Sequence, residues 1–140
     1  MARSTFTGPV VSNNGFITGH EVTVTDNAIN ATAVATAAQV ATGYITSTSA
    51  SPTSITLPTG TLLGGLIGAT RGTSFDLYVD NTAGASTVTM VVSTNAILST
   101  AAVDTAASFG DLTIAAGVTG LARFTIMFSS ATAYVFTRTA

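Results

Sequence analysis

The residues that could do chemistry are few, and the first to consider is His20, the only histidine in the sequence. A serine nucleophile activated by His20 would need a defined geometry, and no Gly-x-Ser-x-Gly nucleophile elbow is present. Zinc needs three or four histidine, cysteine or carboxylate ligands, whereas the chain has one histidine and no cysteine. We therefore interpret His20 as a surface or interface residue. No catalytic, cofactor-binding or metal-binding residue is predicted.

The carboxylates are spread along the chain: Glu21, Asp26, Asp76, Asp80, Asp104 and Asp111. Asp76 and Asp80 fall on one face of a predicted strand about 13 Å apart, beyond the roughly 5–9.5 Å between the two acids of a glycoside hydrolase. No Asp-x-Asp-x-Asp run indicates calcium binding. Asp80-Asn81 instead has the turn chemistry that shapes a loop. With so few candidate general acids and bases, the sequence predicts that the protein is not an enzyme.

Charge is scarce throughout the sequence. Asp, Glu, Lys and Arg make up 7% of the residues, against about 25% in ordinary soluble domains. The basic residues are four scattered arginines: Arg3, Arg71, Arg123 and Arg138. Nucleic-acid binding by counterion release needs clustered basic residues. The longest apolar stretch, residues 62–69, is far shorter than the roughly 20 residues of a membrane span. We therefore expect neither nucleic acid nor a membrane as a partner.

Threonine, alanine, serine and glycine take the place of the missing charged residues. Threonine is β-branched and favours strands, and its hydroxyl costs far less to bury than a carboxylate does. A surface of such residues can face either water or another subunit, and the cores of protein interfaces are depleted of charge. The composition therefore predicts an obligate homo-oligomer.

The first segment of the chain is predicted to be an N-terminal arm. Residues 1–20 are expected to be extended, because Pro9 and the Asn13-Asn14-Gly15 turn signal interrupt them and no periodic apolar pattern marks a core face. Residues 21–140 are then expected to form a single β domain, since most of the remaining apolar patterns have the period of a strand.

Two segments decide where a helix is expected. Residues 28–41 fit either a helix capped by Asp26 or irregular chain with a short strand, and their threonine content favours the second. Thr59 stands at an N-cap position ahead of four large apolar residues with helical spacing, which predicts a short helix at about residues 60–69. Its glycines cost about 1 kcal/mol each relative to alanine, so this helix needs to pack against a sheet.

Alternating apolar and polar residues predict the strands of the first half of the domain. Short strands are expected at residues 44–48 and 54–57. Residues 73–80 and 86–93 alternate more clearly and are separated by a loop that contains Gly84. This pattern predicts that the two segments form a β-hairpin.

A second hairpin is predicted from residues 121–128 and 132–137, joined by a turn at 129–131. Between the hairpins, residues 94–120 form a long excursion with a short strand at 112–115, and such long segments often serve contacts. Together these patterns predict a mainly β protein: an antiparallel β-sandwich or barrel with one short helix and an extended N-terminal arm.

The second hairpin allows a specific prediction about its two faces. If the turn has two residues, one face of the hairpin contains Phe124, Ile126, Phe128 and Val135. The opposite face holds Met127, Tyr134 and Phe136 between Arg123 and Arg138. Both faces are apolar, whereas a hairpin with one solvent-exposed face requires only one apolar face. We therefore expect Met127, Tyr134 and Phe136 to contact a neighbouring subunit. The alternative is a two-layer core that buries both faces within one chain.

Several short segments of the sequence resemble segments of a known protein family. These are Tyr44-Ile-Thr-Ser-Thr-Ser-Ala, Thr53-Ser-Ile-Thr-Leu-Pro-Thr and Gly72-Thr-Ser-Phe-Asp-Leu-Tyr-Val-Asp-Asn. They look like parts of the short decoration, or cement, proteins of tailed-phage heads. Ser4-Thr-Phe-Thr-Gly-Pro-Val is similar to the start of such virion proteins. The resemblance covers most of residues 44–92 and, more weakly, the two ends.

The resemblance implies a virion structural protein, made in the host cytoplasm, that binds the major capsid protein on the outer surface of the capsid as a homotrimer and stabilises the shell. It also implies an arm that reaches across capsid subunits, and Arg3 and Phe6 within residues 1–16 are the candidates for that contact. The alternative function is a receptor- or glycan-binding module of a head or tail fibre, with a sugar held between Tyr78 and Tyr134.

Overall fold

A computed structural model describes residues 27–98 and 112–140 of the chain. The arm expected at residues 1–20, with Arg3, Phe6 and His20, lies outside these described residues. The division into an arm and a single β domain over residues 21–140 therefore stays a prediction. The described residues share one hydrophobic core.

Short strands predominate in the described part of the chain. The strands are β1 (Ala33–Val34), β2 (Tyr44–Thr46), β3 (Thr53–Thr56), β4 (Ser74–Asp80), β5 (Val88–Val91), β6 (Ala96–Leu98), β7 (Thr113–Ile114), β8 (Leu121–Ser130) and β9 (Ala133–Arg138). The helices are α1 (Ala37–Ala41), α2 (Gly60–Ile67) and a 3-10 turn at Gly117–Thr119.

The strands form two sheets, a four-stranded one in the order β1-β3-β5-β7 and a five-stranded one in the order β2-β4-β8-β9-β6. From β1 to β8, each strand lies in the opposite sheet from the strand before it. The pairs β1–β3, β3–β5 and β2–β4 are parallel, whereas β5–β7, β4–β8 and β8–β9 are antiparallel.

The prediction of a mainly β, sandwich-like protein with a short helix near residue 60 is confirmed. The sheets, however, are mixed rather than purely antiparallel, since each contains both parallel and antiparallel pairs. Large side chains from both sheets fill the space between the layers. They include Ile55, Met90 and Ile114 from the four-stranded sheet and Leu77, Phe124, Ile126, Phe128, Tyr134 and Phe136 from the five-stranded sheet.

The hairpin predicted from residues 73–80 and 86–93 is wrong. Both segments are strands with the expected alternation, but β4 pairs with β2 and β8, whereas β5 pairs with β3 and β7. The chain between them crosses from one sheet to the other. The alternation of side chains specifies which face of a strand is buried, but it does not specify the neighbouring strand.

Asn81 holds the crossing between β4 and β5 in place. Asp80-Asn81 was predicted to shape a hairpin loop; it does shape the loop, but the loop connects two sheets and not the two strands of a hairpin. Asn81 is fully buried, and its Nδ2 donates hydrogen bonds to the carbonyl oxygens of Ser86 at 2.8 Å and Ala115 at 3.0 Å. Its backbone N–H donates to the carbonyl of Gly120 at 2.8 Å. Asn81 thus joins the loop to the segment that follows β7 through its side chain and to the residue that precedes β8 through its backbone N–H.

The hairpin of β8 and β9 is confirmed, but its register differs from the predicted one. Ser130 pairs with Ala133, whereas the next pair is Phe128 with Tyr134, so β8 contains one additional residue, Ser129, in a β-bulge. A shift of one residue moves side chains to the other face of a sheet. The placement of Tyr134 and Phe136 on the outer face was therefore wrong, since both lie on the core face.

The segment at residues 28–41 contains both a short strand and a helix. The short strand β1 was expected, but helix α1 was not. Thr36, rather than Asp26, starts this helix: its Oγ1 accepts a hydrogen bond from the backbone N–H of Gln39, and the Gln39 Oε1 accepts from the backbone N–H of Thr36. This reciprocal capping box satisfies two N–H groups that a helix start leaves free.

Helix α2 confirms the prediction from Thr59, whose side chain accepts a hydrogen bond from the backbone N–H of Leu62 at 3.2 Å. Two of its glycines have a packing role. A Cβ on Gly60 would lie 2.2 Å from the carbonyl oxygen of Thr132, and one on Gly64 would lie 2.0 Å from that of Ala131. Glycine at both positions lets the helix backbone lie directly on the β8–β9 turn.

Candidate interaction surface

The carboxylates of the described residues take part in structural hydrogen bonds. Asp76 Oδ1 accepts from the Thr125 hydroxyl at 2.8 Å, and Asp80 Oδ1 accepts from the Thr82 hydroxyl at 2.6 Å. Across residues 27–98 and 112–140, no group of three or more His, Cys, Asp or Glu side chains could hold a metal ion. In the same ranges, neither helix has the length and hydropathy to cross a membrane.

The outer face of the five-stranded sheet presents the features most suited to binding a partner. Strand register arranges its side chains in rows that run across the strands. We name two of these rows by their residues. The tyrosine row consists of Tyr44, Tyr78 and Arg123. The apolar row consists of Met127, Val135 and Ile97. The rows lie about 13 Å apart along the strands, because Met127 is four positions beyond Arg123 on β8.

The tyrosine row begins where β2 pairs in parallel with β4, so that Tyr44 lies directly beside Tyr78. Their side chains are 45% and 38% exposed. The Tyr44 hydroxyl donates a hydrogen bond to Asp80 Oδ2 at 2.6 Å, and Asp80 is two residues beyond Tyr78 on the same face of β4. This bond inclines the Tyr44 ring across β4.

The same contacts determine the electrostatics of the row. Hydrogen bonds from Thr82 and Tyr44 favour the charged carboxylate and hold the pKa of Asp80 below its usual value. The hydrogen bond to Asp80 in turn stabilises the protonated phenol and raises the pKa of Tyr44, with smaller contributions from burial and from the Asp80 charge. On the other side of Tyr78, the Arg123 Nε donates to the Thr139 hydroxyl at 3.2 Å. The row therefore combines two exposed aromatic rings with oriented charged groups.

The apolar row lies towards the β8–β9 turn. Met127 pairs with Val135, and Val135 pairs with Ile97 of the edge strand β6. Met127 and Ile97 are 52% and 55% exposed, while Val135 is partly buried. A second exposed apolar pair lies on α2, where Leu62 and Leu66 are one helical turn apart.

The structure separates the predicted contact residues. Met127 lies on the outer face, as expected, whereas Tyr134 and Phe136 are buried and cannot contact a partner from this conformation. The Tyr134 hydroxyl donates to the carbonyl of Pro58 at 2.8 Å, and burial raises its pKa. Phe136 stacks on Phe124 with the ring centroids 4.8 Å apart. Arg3 and Phe6 lie outside the described residues, so their roles stay predictions.

The bulge also changes the expected neighbours of the arginines and tyrosines. Arg138, which was expected on the outer face, pairs with Phe124, and its guanidinium lies 5.9 Å from the centre of the Phe124 ring. The proposed sugar position between Tyr78 and Tyr134 is wrong, because Tyr134 points into the core. The adjacency of Tyr44 and Tyr78 was not predicted, since 34 residues separate them and no local pattern indicates parallel pairing.

No protein-family model, curated protein or solved structure matches the chain.

Proposed function

We propose that this protein is a structural component of a virion and not an enzyme. In this proposal it is a decoration protein that assembles as a homotrimer, binds the major capsid protein on the outer surface of a phage capsid and stabilises the shell. The support is the resemblance of residues 44–92 to such proteins, together with the scarcity of charge and the exposed apolar side chains of the described residues.

The observation on which the proposal chiefly depends is the balance between exposed apolar and charged side chains. The exposed large apolar or aromatic residues are Val34, Tyr44, Leu62, Leu66, Tyr78, Val91, Ile97, Val118, Leu121 and Met127. The charged residues in the same described ranges are Arg71, Asp76, Asp80, Arg123 and Arg138. A surface with this balance favours association, and covering it with a neighbouring subunit removes apolar area from water.

The mechanism is additive. Burying a half-exposed Met127 or Ile97 contributes roughly 1 kcal/mol, about half the value for a fully exposed side chain of this size. A trimer presents each contact three times, so weak contacts combine into a long residence time on a shell. No single residue has to supply a large binding energy.

The first experiment measures oligomeric state and shell binding together. Sedimentation equilibrium of the full chain at micromolar concentration should give a trimer, and the protein should co-sediment with purified shells assembled from the major capsid protein. Met127→Arg places a charge in the apolar row and should weaken association at least tenfold without unfolding the protein. Val118→Arg is the matched control, because Val118 is almost fully exposed on the 3-10 turn, away from the row.

The outcomes separate the parts of the proposal. A stable monomer that does not bind shells contradicts the proposed function. A trimer that tolerates Met127→Arg but dissociates with Val118→Arg assigns the interface elsewhere. Deletion of residues 1–16, with Arg3 and Phe6, should leave the circular-dichroism spectrum unchanged and weaken shell binding. Unchanged binding would remove the arm from the mechanism.

A further inference from the structure

The tyrosine row has the geometry of a stacking surface. The Cα atoms of neighbouring strands lie about 4.8 Å apart, so Tyr44 and Tyr78 project side by side from the same face. The hydrogen bond from the Tyr44 hydroxyl to Asp80 draws that ring diagonally across β4 instead of leaving it upright. An inclined, half-exposed ring next to a second exposed ring presents apolar area to a flat ligand.

Polar groups surround this aromatic area on three sides. Along β4, Asp76 and Asp80 lie on either side of Tyr78, each about 7 Å away on the same face. Across the strands, Arg123 is the neighbour of Tyr78 opposite Tyr44. The two carboxylates accept hydrogen bonds and the guanidinium donates them, so both kinds of partner are within reach of a ligand on the rings.

We infer that the tyrosine row binds a neutral pyranose sugar. The C–H groups on one face of the sugar would stack on Tyr44 and Tyr78, while hydroxyl groups at its edge would donate to Asp76 or Asp80 and accept from Arg123. This ligand matches both the aromatic rings and the charged groups around them, because a pyranose has an apolar face and hydroxyl groups at its edge. The inference concerns a different surface from the apolar row and does not depend on capsid binding.

The charge of the site decides the class of sugar. The carboxylates of Asp76 and Asp80 beside the row outnumber the single guanidinium of Arg123, so the site is net negative, and the hydrogen bonds on Asp80 keep its carboxylate ionised at neutral pH. Sialic acids, uronic acids and phosphorylated ligands would bring a like charge to this site. The surroundings of Tyr78 therefore favour neutral hexoses over acidic ones.

The test uses the full chain with lactose and maltotriose as neutral probes and sialyllactose as the acidic probe. Saturation-transfer NMR detects contact, and titration of the intrinsic tyrosine emission gives affinity, since the chain has no tryptophan to mask it. At least one neutral probe should bind with a millimolar dissociation constant. Tyr78→Ala should weaken binding at least tenfold, whereas Tyr78→Phe, which keeps the ring, should change it by less than threefold.

Met127→Ala is the control on the same face, about 13 Å from the row, and it should leave sugar binding unchanged. Tyr44→Phe should weaken binding moderately, because it keeps the ring but removes the hydrogen bond that inclines it. The inference is overturned if neither neutral probe binds at concentrations up to about 10 mM, roughly ten times a dissociation constant of 1 mM. It is equally overturned if Tyr78→Ala binds normally or sialyllactose binds more tightly than lactose.

Discussion

Replacement of Asn81 is the most demanding test of the two-sheet arrangement. In Asn81→Ala the backbone hydrogen bonds at this position remain, but the amide that donates to the Ser86 and Ala115 carbonyls is lost. A third, longer contact of 3.4 Å to the Ile114 carbonyl is lost as well. Each of these partly buried carbonyls left without its donor costs about 1–1.5 kcal/mol, and the vacated side-chain volume adds to this. We expect a loss of about 3 kcal/mol.

Asn81→Asp keeps the shape of the side chain but replaces the amide that donates hydrogen bonds with a carboxylate that accepts them. The carboxylate would face carbonyl oxygens at the distances where Nδ2 now donates, and burial would raise its folded pKa above the unfolded value near 3.9. Folding would then take up a proton. The free energy of unfolding should fall by up to about 1.4 kcal/mol per pH unit from about pH 4 to the folded pKa, and then level off.

The assay is urea denaturation of the wild type and both variants between pH 4 and pH 8, followed by far-ultraviolet circular dichroism. Protein concentration must be held constant, because association contributes to apparent stability. The difference between Asn81→Ala and the wild type should be nearly independent of pH, which makes this variant the control for Asn81→Asp. A loss below about 1 kcal/mol for Asn81→Ala, or identical pH profiles for the two variants, would refute the role assigned to the amide.

Two further predictions concern packing. Gly65→Ala should stabilise the protein by up to about 1 kcal/mol, because nothing lies within 4 Å of its new Cβ, whereas Gly64→Ala should destabilise it by roughly 2–3 kcal/mol through the clash with the Ala131 carbonyl. Thermal denaturation of the two variants should show a raised midpoint for Gly65→Ala and a lowered one for Gly64→Ala. Equal changes in midpoint would contradict the contact between α2 and the β8–β9 turn. Tyr134→Phe should cost about 1–1.5 kcal/mol by leaving the Pro58 carbonyl without its donor; an unchanged urea midpoint would show that water replaces the hydroxyl.

The candidate surface was only partly predictable. Met127 was assigned to the outer face, and it lies there, but Tyr134 and Phe136 were assigned to that face on the assumption of a regular two-residue hairpin. The bulge at Ser129 has no distinctive sequence, since serine is accepted at many positions of a strand. One additional residue was enough to exchange the two faces of β9.

What the sequence alone determined are the features that depend on neighbours along the chain. The alternation of apolar and polar residues around Leu77 and Val79 specified a strand and its buried face, and Thr59 specified the start of α2. These follow from side-chain periodicity and from hydrogen bonds between residues three positions apart.

Only the tertiary structure decided which strands meet. The two consecutive strands β4 and β5 were expected to pair and instead lie in different sheets, while Tyr44 and Tyr78 come together in a parallel pair. Pairing between distant segments depends on how the whole set of strands closes a shared core, and many partners satisfy the same local alternation. The physical reason is that a strand's pattern specifies a buried face, whereas its partner is selected by the packing of every other strand.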